Sequence, residues 1–319
     1  MRARFATAAA LTCTLLAACN HDEPTVKVAK PAPAPSTTTA SPTPSESPSE
    51  SPLGDTPSVA TGIDKVLVVV VENKSYSQMK AKAPRIWSLA QKYAYATDFK
   101  AIVHPSLPNY IAMASGSTLG VKSNGFPGGI RLKQPSVFGN TIQAGGTAKI
   151  WADGMGPENC RPTETGKYVP RHVPWNYYVN ERELCKQFVV DADAFGADVA
   201  SGDLATVGML IPDNCNNAHD CSIPTADDWI AGQVEIAMSG PDWKSGRLLI
   251  IVTADEDDKN QGNRILTVAI HPSQKSNVVT SPLTLYSLHR LLAEVGNTEP
   301  MNEGRNAPDM AEAFGLPLA

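Results

Sequence analysis

The sequence predicts an α/β fold with a mainly parallel central sheet, and three features carry that expectation. First, Lys65–Val71 (KVLVVVV), Thr206–Ile211 (TVGMLI), Arg247–Thr253 (RLLIIVT) and Ile265–Ile270 are short, nearly unbroken apolar runs rich in β-branched residues. Such runs suit strands covered on both faces. Second, helix candidates lie around and between them at Ala83–Tyr93, Pro108–Ser115, Ser136–Ala144, Thr225–Met238 and Leu283–Val295. Alternating strands and helices make a sandwich of helices around a sheet. Third, oxygen-bearing side chains follow three of the runs directly: Glu72-Asn73, Asp213-Asn214 after Pro212, and Asp255-Glu256-Asp257-Asp258. Ligands of such sheets bind outside the carboxyl ends of the strands, so a site is expected at that edge.

The chain before the first strand reads differently. Arg2 and Arg4 precede the apolar run Phe5–Leu16, which is followed by the small residues Ala17 and Ala18. This is the pattern of a secretory signal, with an apolar run too short to span a bilayer. Leu16-Ala17-Ala18-Cys19 resembles the bacterial lipoprotein box, in which the cysteine is lipidated after cleavage; ordinary secretion with an incidental Cys19 is the alternative. From Asn20 to Gly62 there is no Phe, Trp or Tyr, and nine of the 26 prolines lie between Pro24 and Pro57. That stretch cannot bury enough apolar surface to offset its ordering entropy and is expected to be a disordered tether. Residues 63–319 then form one catalytic domain, outside the cytoplasm, joined to the membrane through the lipid anchor only.

Across all 319 residues, 27 Lys and Arg face 32 Asp and Glu, a net charge of -5. That balance is too mild for a polyanion-binding surface, so nucleic acid is not an expected partner. With Cys13 in the signal and Cys19 at the lipidation site, Cys160, Cys185, Cys215 and Cys221 remain. Four cysteines in an oxidising compartment suggest two disulfides. Of the three pairings we favour Cys160 with Cys185 and Cys215 with Cys221, the latter closing a short polar loop. A zinc site shared with His219 is the alternative.

Glu72 and Asn73 after one strand, and Asp255 and Glu256 after another, offer hard oxygen ligands that suit Mg²⁺, Ca²⁺ or Mn²⁺ better than a structural zinc. A solvated acidic turn is the plainer reading of the DEDD run, and it holds best for Asp257 and Asp258, which are farther from the strand. In His104–Tyr110 (HPSLPNY), Pro108 suits a first helical turn. Ser106 would then sit just before a helix amino terminus, where free N–H groups and the helix dipole favour phosphate. A serine there can also be a simple cap, or a nucleophile activated by a metal.

Val71-Glu72-Asn73-Lys74-Ser75-Tyr76, His104–Tyr110, Tyr168–His172 (YVPRH), Pro212-Asp213-Asn214 with His219-Asp220, and Asp255-Glu256 occur in an order that resembles the bacterial phosphoesterase family. That family includes acid phosphatases and nonhaemolytic phospholipases C and belongs to the alkaline-phosphatase superfamily. The resemblance covers most of residues 64–296. It implies an alkaline-phosphatase-like three-layer sandwich and a metal-dependent phosphomonoesterase. Glu72, Asn73, Asp255 and Glu256 would bind the metal, and Ser106 would form a phosphoseryl intermediate. Asn109 would hold phosphoryl oxygens. His104, His172 and His219 would line the site, neutralising charge or protonating the leaving oxygen, each with a purely structural role as the alternative. Asp213 would orient His219 or complete the metal shell. The chain departs from the family in two places. His172-Val173-Pro174 stands where many members read His-Asn-Pro, and Leu285-Tyr286-Ser287 where many read His-Tyr-Ser; His289 lies one helical turn beyond and presents an imidazole on a similar face. A phospholipase C shares the core but is generally longer. A serine esterase lacks support because no GxSxG elbow occurs, and a ligand-binding lipoprotein is the non-enzymatic alternative. The expected partner is a phosphate ester; no oligomeric state is implied.

Overall fold

The computed structural model describes residues 62–319. The signal, Cys19 and the tether up to Thr61 lie outside the described residues. A single nine-stranded sheet runs through the domain. Its strands are β1 (Lys65–Val71), β2 (Ala94–Lys100), β3 (Ala148–Ala152), β4 (Val189–Asp191), β5 (Val207–Ile211), β6 (Leu248–Ala254), β7 (Arg264–Ile270), β8 (Asn277–Val279) and β9 (Leu283–Thr284). Their order is β4-β3-β5-β1-β6-β7-β2-β8, with β9 also on β2, and helices cover both sides.

Every pairing is parallel except those of β7, which runs antiparallel to both β6 and β2. The reversed β7 carries its own end away from the site edge. His271, just after it, is held by Ser273 Oγ at 2.8 Å and the Gly246 carbonyl at 2.9 Å.

The β-branched runs form strands because both faces are covered: all seven residues of β1 and of β6 are buried. Lys65 opens β1 with its ammonium 2.9 Å from the buried Asp242 carboxylate. β2 (AYATDFK) has no apolar run and is broken by a bulge between Ala96 and Phe99, so periodicity does not announce it. The five expected helices appear as Pro84–Lys92, Ser106–Ser115, Val137–Gln143, Ile223–Ser239 and Leu285–Val295. One boundary matters for the site. The helix expected from Pro108 starts at Ser106, with Pro105 as its cap, so Ser106 is the first helical residue rather than the one before it.

Two disulfides, Cys160–Cys185 and Cys215–Cys221, join the pairs expected from the sequence. With all four sulfurs so bonded, the alternative of a Cys/His zinc site with His219 is removed. The Cys215–Cys221 bridge closes the loop that carries Asn217 and His219. The segment bearing His172 is anchored by Glu181. This buried carboxylate accepts from the Ser136 N–H at 2.8 Å, the Ser136 hydroxyl at 2.6 Å and the Trp175 indole N–H at 2.7 Å. Glu181→Ala leaves those three donors without their acceptor, each costing about 1–3 kcal/mol when buried. Urea unfolding of the variant is expected to show a loss of roughly 3 kcal/mol or more with an unchanged slope; a loss below 1 kcal/mol would show that the anchor is dispensable.

Candidate active site

β1 and β6 pair in register over seven residues, Val71 opposite Ala254, and the Asp255 N–H bonds the Val71 carbonyl at 3.1 Å. This register fixes Glu72 and Asp255 as neighbours at the carboxyl ends of two central parallel strands. Both are fully buried. Asn73 takes a left-handed backbone (φ 51°), a conformation that asparagine tolerates better than most residues. In that pose its own N–H donates to Asp255 Oδ1 at 3.0 Å.

Ser106 is brought to the same place from the opposite direction by the amino terminus of its helix. Its hydroxyl donates to Glu72 Oε2 at 3.1 Å, and Tyr110, one turn later on the same face, donates its phenol to Glu72 Oε1 at 2.5 Å. His172 stacks on the Tyr110 ring with centroids 5.3 Å apart and places Nε2 3.2 Å from Glu72 Oε1. Its ring lies 6.5 Å from that of His219. On the other flank, His104 lies 2.9 Å from Glu256 Oε2 through Nδ1 and 3.1 Å from Asp257 Oδ1 through Nε2. Thus Glu72, Asn73, Asp255, Glu256, Ser106, His104 and His172 gather in one cluster at the carboxyl edge of the sheet, and the exposed His219 stands beside His172.

Desolvation dominates the electrostatics. Burial pushes the Glu72 carboxyl well above the usual range and the Asp255 charge pushes it further, against hydrogen bonds from Tyr110 and Ser106 and the charge of Arg171. Burial raises Asp255 to about 6, opposed by the Asn73 and Glu256 amides and the Ser106 hydroxyl. Burial, then the Asp255 charge, raises Glu256 to about 8. Burial lowers His172, assisted by Arg171 and His219, so its imidazole is held neutral. Burial likewise lowers the half-buried Lys74 ammonium, although Glu72, Asp255 and Asp258 pull it the other way.

Among the described residues no three His, Cys, Asp or Glu side chains form a ready-made cage for an ion. Three oxygens nevertheless lack a hydrogen bond: Asn73 Oδ1, Asp255 Oδ2 and, although His104 Nδ1 lies 2.9 Å away, Glu256 Oε2 are buried without one. Buried acceptors are nearly always satisfied. An amide oxygen and carboxylates in that condition match a hard divalent cation by chemistry.

Three expected roles are not supported by geometry. Asn109 is buried with its carboxamide turned to the preceding loop: Oδ1 accepts from Ile102 and Val103 N–H at 3.0 and 3.1 Å, and Nδ2 donates to the Val103 carbonyl at 2.7 Å. It shapes the turn into Ser106 and does not face a phosphoryl group. Asp213 uses Oδ1 to hold the Cys215 and Asn216 N–H groups, both at 2.8 Å. The carboxylate on His219 Nδ1 is instead Asp220, at 2.8 Å. His289 is fully buried between the Met113 carbonyl at 3.0 Å and the Met301 N–H at 3.1 Å. Both ring nitrogens are occupied far from solvent, so it does not replace the histidine absent at Leu285. The helix amino terminus is also less open than expected: Asn124 Oδ1 already accepts the Leu107 N–H at 3.0 Å, and Pro108 has none to offer.

Other residues matter more than the sequence suggested. Asn217 accepts the His219 N–H through its side chain at 2.8 Å, approaches His172 Nδ1 at 3.5 Å, and bonds the Glu72 N–H through its carbonyl at 2.8 Å. It links three site residues, yet lies unmarked between Asn214 and His219. Tyr110 sits inside the HPSLPNY segment, where its i,i+4 spacing from Ser106 is the available signal. Asp257, read as a solvated turn, is buried and accepts the N–H groups of Lys259, Gln261 and Asn263.

Comparison with known proteins places the chain in a family. A family model described as the Phosphoesterase family matches residues 74–292. A phosphatidylinositol-3-phosphatase of Mycobacterium tuberculosis is 30% identical over 255 residues, covering 78% of this chain and 82% of that protein. A probable acid phosphatase of Kluyveromyces lactis is 25% identical over 77% of this chain, which spans 60% of the yeast protein's length. Among solved structures, an alkaline-phosphatase-superfamily protein from Vibrio parahaemolyticus superposes with a TM-score of 0.55 at 12% identity, over 80% of this chain and 73% of that one; at that identity the likeness speaks for the fold. With the family match extending over most of the domain, the chain belongs to the Phosphoesterase family and is a phosphoric ester hydrolase.

Proposed function

We propose that the chain is an exported phosphomonoesterase that works through a phosphoseryl intermediate on Ser106 with a divalent cation held by Glu72, Asn73, Asp255 and Glu256. The observation that carries this reading is the Ser106 hydroxyl donating to Glu72 at the carboxyl edge of the sheet. A cation there would supply charge neutralisation for the carboxylates and the phosphoryl oxygens. The chain's own groups divide the remaining work. Glu72 holds the Ser106 proton and takes it as Oγ forms its bond to phosphorus and the ester P–O bond breaks. His219, on the open rim and oriented by Asp220, hands a proton to the departing alkoxide. His172, neutral and stacked on Tyr110, fixes Glu72 and excludes water from its far side. Water then bonds to phosphorus and gives a proton to His219, while the Ser106 Oγ–P bond breaks and Oγ takes back the proton held by Glu72, which releases phosphate and restores both groups. The two disulfides fit an oxidising compartment, in keeping with export. The lipid anchor at Cys19 is part of the same proposal.

Ser106→Ala is expected to cut hydrolysis of a chromogenic phosphate ester by roughly 10³-fold or more, because it removes the oxygen proposed to carry the phosphoryl group. Stability should fall by only about 1–2 kcal/mol for the lost hydrogen bond. Near-normal turnover would remove Ser106 from the mechanism.

The carboxylates give the metal a readout other than activity. With Glu72, Asp255 and Glu256 raised when folded, the folded chain binds more protons than the unfolded one, so stability falls as pH rises. For chelated protein the fall begins near the ordinary carboxylate range and continues through about 6 for Asp255 and about 8 for Glu256. Thermal unfolding after chelation should therefore drop from pH 5 to pH 8. Added Mg²⁺, Ca²⁺ or Mn²⁺ should raise Tm more at pH 8 than at pH 5. Cation-independent Tm at both values would defeat the metal assignment.

Replacement of Cys19 by Ser should move the protein from the membrane fraction to the soluble fraction without changing activity per molecule. A wild-type protein already found in the medium would favour simple secretion.

A further inference from the structure

Beside Ser106 lies a recess of about 160 Å³ lined by Asn124, Gly125, Phe126, Glu164, Pro170 and Arg171. Both of its walls are attached to the site. Asn124 accepts the N–H of Leu107, the residue after the serine. Pro170 and Arg171 lie in the same short helical turn as His172, and the Arg171 charge reaches Glu72.

The loop wall is held open from behind. Tyr177 donates its phenol to the Gly125 carbonyl at 2.5 Å, and the Gly129 and Ile130 N–H groups close on the Phe126 carbonyl at 3.0 and 3.1 Å. The Phe126 ring is nevertheless 58% exposed, the most of any large apolar side chain among the described residues. The pinned backbone thus holds the Phe126 ring in place at the recess. Arg171 is faced by Glu164 at 3.4 Å, and most of the lining is apolar, with the Phe126 ring its most exposed apolar part. Its volume is close to that of an engineered cavity, roughly 150 Å³, known to admit benzene.

We propose that this recess is the leaving-group subsite and that it selects phosphate esters of ring-bearing, apolar alcohols, with Phe126 as the specificity-determining residue. This rests on the phosphomonoesterase reading, since it places the alcohol side of the ester against Phe126 while the phosphoryl group faces Ser106. Aromatic contact adds to simple area burial, and a site that recognises the alcohol gains affinity that a small alcohol cannot supply.

The test uses binding rather than turnover. Calorimetry of the purified full chain in Mg²⁺ would compare phenylphosphonate with methylphosphonate, which share the anionic head and differ in the ring. The expected result is about tenfold tighter binding of phenylphosphonate, about 1.4 kcal/mol. Phe126→Ala should reduce the ratio below about threefold with methylphosphonate affinity unchanged, and Phe126→Tyr should retain it. Equal binding of the two probes by the wild type overturns the subsite and leaves the phosphatase reading standing. Equal weakening of both by Phe126→Ala also overturns it, because the ring would then support the phosphoryl site. Failure of the wild type to bind either phosphonate defeats the phosphatase reading, and the subsite with it.

Discussion

The register between β1 and β6 sets two carboxylates side by side in the dry interior, and the rest of the site answers to that constraint. With Val71 opposite Ala254, neither Glu72 nor Asp255 can move away without breaking a strand pair. Two buried like charges that close are unfavourable. The surrounding groups offset this in different ways: Tyr110 and Ser106 donate hydroxyls to Glu72, the Asn73 amide donates to Asp255, and Arg171 contributes opposing charge. These contacts do not satisfy every oxygen. The oxygens without a hydrogen bond, Asp255 Oδ2, Glu256 Oε2 and Asn73 Oδ1, mark where the fold retains acceptor capacity that a purely structural site would have closed.

That arrangement also explains the uncommon backbone of Asn73. A strand end has its next residue directed along the strand, whereas the left-handed φ of Asn73 turns the chain away from β1 just after its N–H has bonded Asp255. A β-branched residue there would meet the steric penalty of positive φ, while asparagine meets less and adds an amide oxygen. Sequence, backbone and charge thus agree at one position, and Ser106 is placed against it by a helix whose first residue, rather than its cap, is the serine.

Much of this was legible in the sequence because it depends on period and order. Unbroken β-branched runs became β1, β5, β6 and β7, and the polar residues after β1 and β6 gathered as strand-end chemistry requires. The antiparallel course of β7 was not legible, since a buried antiparallel strand and a buried parallel strand have the same apolar pattern. β2 was hidden by its polar residues and its bulge. Asn109 and Asp213 were misread for another reason: a polar side chain in a loop has the same letter whether it faces a ligand or its own backbone, and short amides and carboxylates readily do the latter. His289 belongs with them, since a buried imidazole between a carbonyl and an N–H makes a strut as well as a ligand.

The polar residues therefore separate into those that face the reacting centre and those that hold the loops around it. Asn109, Asn124, Asp213 and Asp257 all spend their oxygens on backbone N–H groups, and each such bond removes a conformational degree of freedom from a segment next to Ser106, His219 or Glu256. Asn217 spans the two groups, joining the Glu72 backbone to the His219 backbone while its amide nears His172. With Cys215–Cys221 closing the same loop, the rim that presents His219 is restrained covalently and by hydrogen bonds, although His219 itself is exposed. An exposed side chain on a restrained backbone can meet a departing group from solvent without a large reorganisation, which is the property the proton-donor role proposed for His219 requires.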